Sequence, residues 1–260
     1  VNRLVIAPGV ELETLSTGHG QPTTVFAHGL GGGIADTRVL GSGVRGTKVY
    51  FQFRGHGASI APPGDWTYEH LAGDLRGVAD ATGATRALGV SLGAGAMLRM
   101  LTETPDRFDR VVFFLPAILD QPRSEPGKSR LAGLLTAIAA GDQRTVEEFA
   151  ALDVPAELRA TTAARAFIVS RARTLIAGGL GESLAGLTGQ SAIPDRSALA
   201  KVAAQALVLG CRGDVLHPAE VAEELADSLP AATLHVYDEP QPLWRHRSDI
   251  RDRISGFLNA

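Results

Sequence analysis

Six short runs of apolar residues recur along the chain: TTVFAHG, KVYFQFRG, RALGVS, RVVFFLP, QALVLG and TLHVY. Each is bounded by glycine, proline or polar residues, and none alternates apolar with polar positions. A strand covered on one face alternates and a strand covered on both does not, so these runs predict buried parallel strands. The segments between them carry the helical period. Tyr68, Leu71, Leu75, Val78 and Ala79 share one face of a helix that Gly83 closes, Val221, Leu225 and Leu229 mark a late helix, and Ile250, Ile254, Phe257 and Leu258 a final one. The opening RLVIAPGVELETLSTG differs, since Pro8-Gly9 favours a turn between two β-like runs and predicts an antiparallel hairpin. Alternating strands and helices joined by right-handed crossovers give a doubly wound α/β sheet, with ligands at the carboxyl ends of its strands.

One interval breaks the rhythm. Residues 119–204 are far longer than a crossover needs, are rich in Ala, Leu and Arg, and contain no β-like run. They are read as a small helical cap inserted between two parts of one α/β core, residues 1–118 and 205–260.

Composition narrows the function. A chain of 260 residues with 45% hydrophobic and 20% charged side chains fits an ordinary globular protein. Its formal net charge of −3, without a basic stripe, makes nucleic acid an unexpected partner. No stretch reaches the length of a membrane span and no signal-like opening is present, so the expectation is a cytoplasmic protein with a small-molecule substrate. Cys211 is the sole cysteine; it sits in an apolar run, which leaves no intrachain disulfide and no cysteine-rich metal site. No metal-binding constellation or cofactor motif is found. Gly41, Gly43 and Gly46 match a dinucleotide fingerprint in letters, but they precede a strand where the fingerprint must follow one. The oligomeric state is left open.

The chemistry centres on Gly89-Val90-Ser91-Leu92-Gly93, which joins the RALGVS strand directly to the helical text LGAGAMLRMLTE. In a chain with 30 glycines the bare G-x-S-x-G pattern arises by chance roughly 0.2 times, so its placement between strand and helix carries the argument. A serine in that turn is strained, exposed above the sheet, and followed by the free N–H groups of a helix start. The second piece is FAHGLGGG. Its glycine-rich turn brings backbone N–H groups towards a substrate oxygen, and the N–H groups of Leu30 and Leu92 are the expected oxyanion donors. His28 is read as bonding the local backbone.

With HGLGG, FRGHGAS, GVSLGAG and GCRGDVLHP each following a strand, the chain resembles the α/β-hydrolases over nearly its whole length, weakly in the cap. The resemblance implies eight strands, no cofactor, and a nucleophile, an acid and a histidine in that chain order. Carried onto this sequence, the nucleophile is Ser91 and the acid is Asp214, with Asp120 in reserve. A helix cap or a turn is the alternative role for Asp214. His246 is the one histidine after the last strand, where the family keeps its base. It departs from type, because DEPQPLWR replaces the usual Gly-His pair and Arg245 and Arg247 flank the ring, two cations that oppose its protonation. The alternative for His246 is a surface residue at a helix start. His217, three residues beyond Asp214, is read as too near to fold back onto that carboxylate and hence structural. His56 is assigned to loop shape, and His19, His70 and His235 to no site.

These readings predict a serine hydrolase for a small, largely apolar ester, lactone or thioester. The alternatives are acyl transfer, C–C cleavage or cofactor-free oxidation on the same triad, or a non-catalytic ligand-binding protein.

Overall fold

The computed structural model describes residues 2–64, 66–178 and 185–260. Its centre is an eight-stranded sheet in the order β1-β2-β4-β3-β5-β6-β7-β8. The strands are β1 (Asn2–Ala7), β2 (Val10–Thr17), β3 (Thr23–Ala27), β4 (Thr47–Phe51), β5 (Arg86–Val90), β6 (Arg110–Phe114), β7 (Gln205–Cys211) and β8 (Ala232–Tyr237). β1 and β2 form the expected antiparallel hairpin about Pro8-Gly9, and β2 also runs antiparallel to β4. Every other pairing, from β4 through β3, β5, β6 and β7 to β8, is parallel.

The unalternated runs are explained by two separate cores. Val25, Ala27, Val49, Phe51, Val111, Phe113 and Val208 face one side of the sheet, with α2 (Tyr68–Thr82), α3 (Leu92–Glu103) and Leu225 of a later helix. Their sequence neighbours Phe26, Tyr50, Val112, Phe114, Leu207 and Leu209 face the other side, with α1 (Ile34–Leu40) and the C-terminal helix residues Ile250, Ile254 and Leu258. Because successive side chains point to opposite faces and both faces are covered, each strand must be apolar throughout. The edge strands depart from this, with Thr233 and Leu234 of β8 and most of β1 exposed.

Local signals set the helix ends. Thr67 accepts from His70 N–H while the His70 ring accepts from Thr67 N–H, a reciprocal cap that starts α2, and Gly83 ends it at φ +61°.

Between β6 and β7 the described residues hold α4 (Gly127–Ala139), α5 (Gln143–Ala151), α6 (Thr162–Ala177) and short 3-10 turns, with no strand. Residues 179–184 of the expected insertion lie outside the described set. The last 3-10 turn, Arg196–Lys201, packs beside α3 and α7 (Ala219–Ser228), low against the sheet layer. The chain closes with α8 (Pro242–Arg245) and α9 (Arg247–Asn259). Among the described residues no helix is long and apolar enough to cross a membrane.

Candidate active site

Ser91 stands between β5 and α3 with φ 48° and ψ −104°, backbone angles that an L-residue adopts only when its surroundings impose them. The flanking glycines show what imposes them. A Cβ at Gly89 would lie 2.6 Å from the Gly93 carbonyl oxygen, and one at Gly93 would lie 2.5 Å from the Ala27 oxygen, so the turn closes only because both lack one. Ser91 N–H donates to Phe114 O at 3.0 Å, tying the turn to β6. Leu92 opens α3, and its N–H belongs to the first turn, which has no intrahelical acceptor.

The histidine that meets Ser91 is His217. Its Nε2 lies 2.9 Å from Ser91 Oγ, and its Nδ1 lies 2.9 Å from Asp214 Oδ2. An ionised carboxylate only accepts, so Nδ1–H donates to Asp214 and Nε2 is left as acceptor for the serine hydroxyl proton. The other oxygen, Asp214 Oδ1, accepts from Leu216 N–H at 2.8 Å and from His217 N–H at 3.3 Å. Burial alone would raise the Asp214 carboxyl, but the His217 ring and these N–H groups outweigh it and hold the pKa below the usual range.

Two expectations are corrected here. His217 is not too near Asp214 to reach it. The aspartate side chain nucleates a tight turn on its own backbone, and such a turn brings residues i and i+3 face to face. His246 does not approach Ser91. Its ring stacks on Tyr237 with centroids 4.9 Å apart, in a surface groove separate from the Ser91 cavity, and its carbonyl accepts from Ile250 N–H at the start of α9. Packing on an aromatic at the sheet edge fixes it there. The position is the helix start that formed its alternative reading. Asp120, the reserve acid, is spent on Arg196, 2.8 Å from its Nε.

The HGLGG turn lies directly against the elbow: a Cβ at Gly29 would be 3.5 Å from Ser91 Cβ. Two buried histidines brace this turn. His28 Nδ1–H donates to Gly29 O at 2.7 Å and its Nε2 accepts from Phe53 N–H. His56 Nδ1–H donates to Arg54 O at 3.0 Å and its Nε2 accepts from Gly31 N–H at 3.1 Å. Burial takes His28 well below its ordinary pKa and His56 down to about 4, so both rings stay neutral and each keeps one tautomer. Beneath them Arg54 forms a buried fork with Asp74 at 2.6 to 3.1 Å. Cys211 is buried in β7, where burial pushes its thiol up to about 12, too high for a thiolate nucleophile.

Ser91 and His217 open into a cavity of about 540 Å³ between the carboxyl edge of the sheet and α4, α5 and α6. The lining is mostly apolar, with Leu131, Leu135, Phe149, Leu175, Leu187 and Trp244 prominent. Among the described residues the three non-glycine positions at positive φ are Ser91, Leu115 and Gln241, and all three line it. Each follows the end of a strand, so the strained backbone is concentrated where the loops turn over the site.

Charged groups enter the same space. Arg171 pairs with Asp36 at 3.2 Å and donates to Leu30 O and Gly31 O, joining α6 to the HGLGG turn. Arg130 stands 3.8 Å from Asp153. Asp153 also lines the cavity, with its side chain half exposed. Among the described residues no group of His, Cys, Asp and Glu is arranged to hold a metal ion.

The fold agrees with the comparisons to known proteins. A profile described as the Alpha/beta hydrolase family matches residues 24–244, and the chain belongs to that family. It is a hydrolase by family, built on the α/β-hydrolase fold. No curated protein shows significant similarity to it in sequence. Among solved structures it is similar to an esterase from Exiguobacterium antarcticum, with a TM-score of 0.80 at 18% identity over 97% of both chains. A meta-cleavage product hydrolase from Pseudomonas fluorescens matches with a TM-score of 0.80 at 17% identity, over 100% of this chain and 97% of that one. An enol-lactonase from Burkholderia xenovorans matches with a TM-score of 0.78 at 19% identity, over 96% and 97%. At these identities the likeness is one of fold.

Proposed function

We propose that the chain is a serine hydrolase for carboxylic esters, lactones or thioesters with a largely apolar acyl part, and that Ser91, His217 and Asp214 are its triad. The observation that carries this reading is the unbroken line from Asp214 Oδ2 through His217 to Ser91 Oγ, with both contacts at 2.9 Å. In the first half-reaction His217 Nε2 takes the Ser91 proton as Oγ bonds to the substrate carbonyl carbon. The resulting oxyanion is held by the N–H groups of Leu30 and Leu92, each such donor being worth about 3 kcal/mol when well aimed. His217 then passes its proton to the leaving oxygen or sulfur as that bond breaks, giving an acyl-serine. In the second half-reaction water loses a proton to His217, attacks the acyl carbon, and the Ser91 oxygen leaves with that proton. Asp214 orients the ring and stabilises the imidazolium. Besides substrate and water, the groups that act in this cycle are side chains and N–H groups of the chain itself.

The helices between β6 and β7 act as the cap that roofs the acyl pocket and keeps bulk water from the acyl-serine. Esterase, lactonase and meta-cleavage product hydrolase neighbours share the fold, which does not by itself choose among these chemistries. The test is turnover of p-nitrophenyl esters of graded acyl length by the wild-type chain and by Ser91→Ala, with and without added alcohol. The reading expects hydrolysis at one or more lengths that Ser91→Ala abolishes, with free acid as product. Release of nitrophenol unchanged in Ser91→Ala would overturn it, and an alkyl ester product would move it to acyl transfer.

A further inference from the structure

The cavity holds a cation that the triad chemistry does not use. Arg123 follows β6 by nine residues, lies largely enclosed in protein, and lines the cavity beside Tyr68. Its Nη1 donates to the carbonyl of Leu216, the residue before His217, which fixes the guanidinium next to the catalytic turn. The carboxylates around it are already engaged. Asp36 is with Arg171, Asp153 is on the Arg130 side, and Asp214 is taken up by His217 and its own turn. Among the described residues none comes within ion-pairing distance of Arg123. Arg130 adds a second anomaly: among the described residues its Nε is buried with no hydrogen-bond partner and its one ion pair is the long one to Asp153.

Desolvating a guanidinium is costly unless an anion or a set of acceptors replaces the water. Burial loosens the Arg123 proton, and Tyr68 and Asp214 offset this only in part. Two under-satisfied guanidinium groups facing one apolar cavity have the chemistry of a carboxylate receptor, because a planar fork of N–H donors matches a planar pair of oxygens.

We propose that the substrate carries a carboxylate in addition to its scissile carbonyl, bound by Arg123 with Arg130 in support. This rests on the hydrolase reading for its placement but deepens it: the apolar walls hold the rest of the substrate and the arginines hold its carboxylate. An anion held there also sets the direction in which the acyl chain lies, so the carbonyl is presented to Ser91 one way round.

The test separates binding from turnover. In Ser91→Ala protein, which cannot consume its ligand, calorimetric titration compares monomethyl succinate, glutarate and adipate with neutral methyl esters of matched length. A charge-assisted fork predicts about 10-fold or more tighter binding of the acid at one of the three lengths. Adding Arg123→Met should erase that preference, Arg130→Met should reduce it, and Arg123→Lys should keep part of it. Thermal melts of the ligand-free variants show whether each is folded, and Arg130→Met still reads the site if Arg123→Met is not. Equal or weaker binding of the acid at all three lengths, or a preference that survives both methionine variants, overturns the proposal. Hydrolysis of neutral esters without any preference for the acids would leave the hydrolase standing and remove the carboxylate site. A binding preference without any hydrolysis would do the reverse.

Discussion

Two loops leave the carboxyl edge of the sheet side by side, and they divide the work in an unexpected way. β7 and β8 are paired up to Cys211↔Tyr237, so the loops that follow start as neighbours. The first, between β7 and α7, carries Asp214 and His217 in one tight turn facing Ser91. The second, between β8 and α9, carries His246 but works as a strap. Gln241 Nε2 donates to Leu152 O at 3.0 Å, Trp244 sits edge-on to Phe167 of α6 at 5.5 Å, Arg245 pairs with Glu157 at 2.8 Å, and the His246 ring stays on Tyr237. The difference teaches that the ring's approach to the serine is what the architecture must provide. Either of two adjacent strand ends can provide it, because neighbouring strands are only about 5 Å apart.

The sharpest way to break this comparison is to remove each histidine in turn. His217→Ala should cost roughly 10⁴- to 10⁶-fold in kcat on a p-nitrophenyl ester, as Ser91→Ala should, because members of a triad act as a unit. His246→Ala should stay within about 3-fold of wild type, since it loses only a packed surface ring. Steady-state kinetics on the two purified variants decide between the loops.

Asp214→Asn comes next. An amide in that position no longer demands an Nδ1–H donor, the ring is free to take the wrong tautomer, and kcat should fall about 10³- to 10⁴-fold with KM little changed. The same substitution weakens the turn, so the circular dichroism of the variant should be recorded beside its rate.

A smaller effect separates the brace under the HGLGG turn from the triad. His56 has a folded pKa of about 4 against an unfolded value near 6.5, so between those values the unfolded chain binds more protons. Stability therefore rises with pH across that window. It is fully present above about 6.5 and declines towards pH 4, by about 3 kcal/mol at most from this ring. His28, shifted in the same direction, adds to the loss. Urea midpoints taken from pH 7 down to 4 should fall steadily, and His56→Gln should be less stable at pH 7 yet show a shallower fall.

The smallest effect tests the strap. Trp244→Ala removes an edge-to-face contact worth about 1 kcal/mol and part of the cavity wall, so it should shift the urea midpoint slightly and raise KM for long acyl chains more than for short ones.

How far the sequence alone leads is clearest at particular residues. The unalternated runs specify parallel strands because both sheet faces are covered, and Gly89 and Gly93 mark the elbow because no other residue fits there. The histidine was harder. The text DEPQPLWR after β8 signals a missing Gly-His pair, and GDVLH offers a replacement three residues beyond Asp214, but the two become one observation only when the aspartate is pictured as the nucleus of its own turn. The capacity of Asp to fold the next three residues back on itself is a local property that chain order does not display. Arg123 and Arg130 were legible only as cations in an apolar, helical insertion. That they line the same cavity as Ser91 depends on how α4 and the loop before it sit over the sheet, a tertiary fact with no periodic signature.

The central claim is that His217, and not His246, activates Ser91. A fluorophosphonate probe reports this without any assumption about substrate, because it reacts only with an activated serine. Labelling of Ser91, followed by intact mass, should proceed in His246→Ala at the wild-type rate and be lost in His217→Ala. Loss of labelling in His246→Ala, or retention in His217→Ala, would contradict the account.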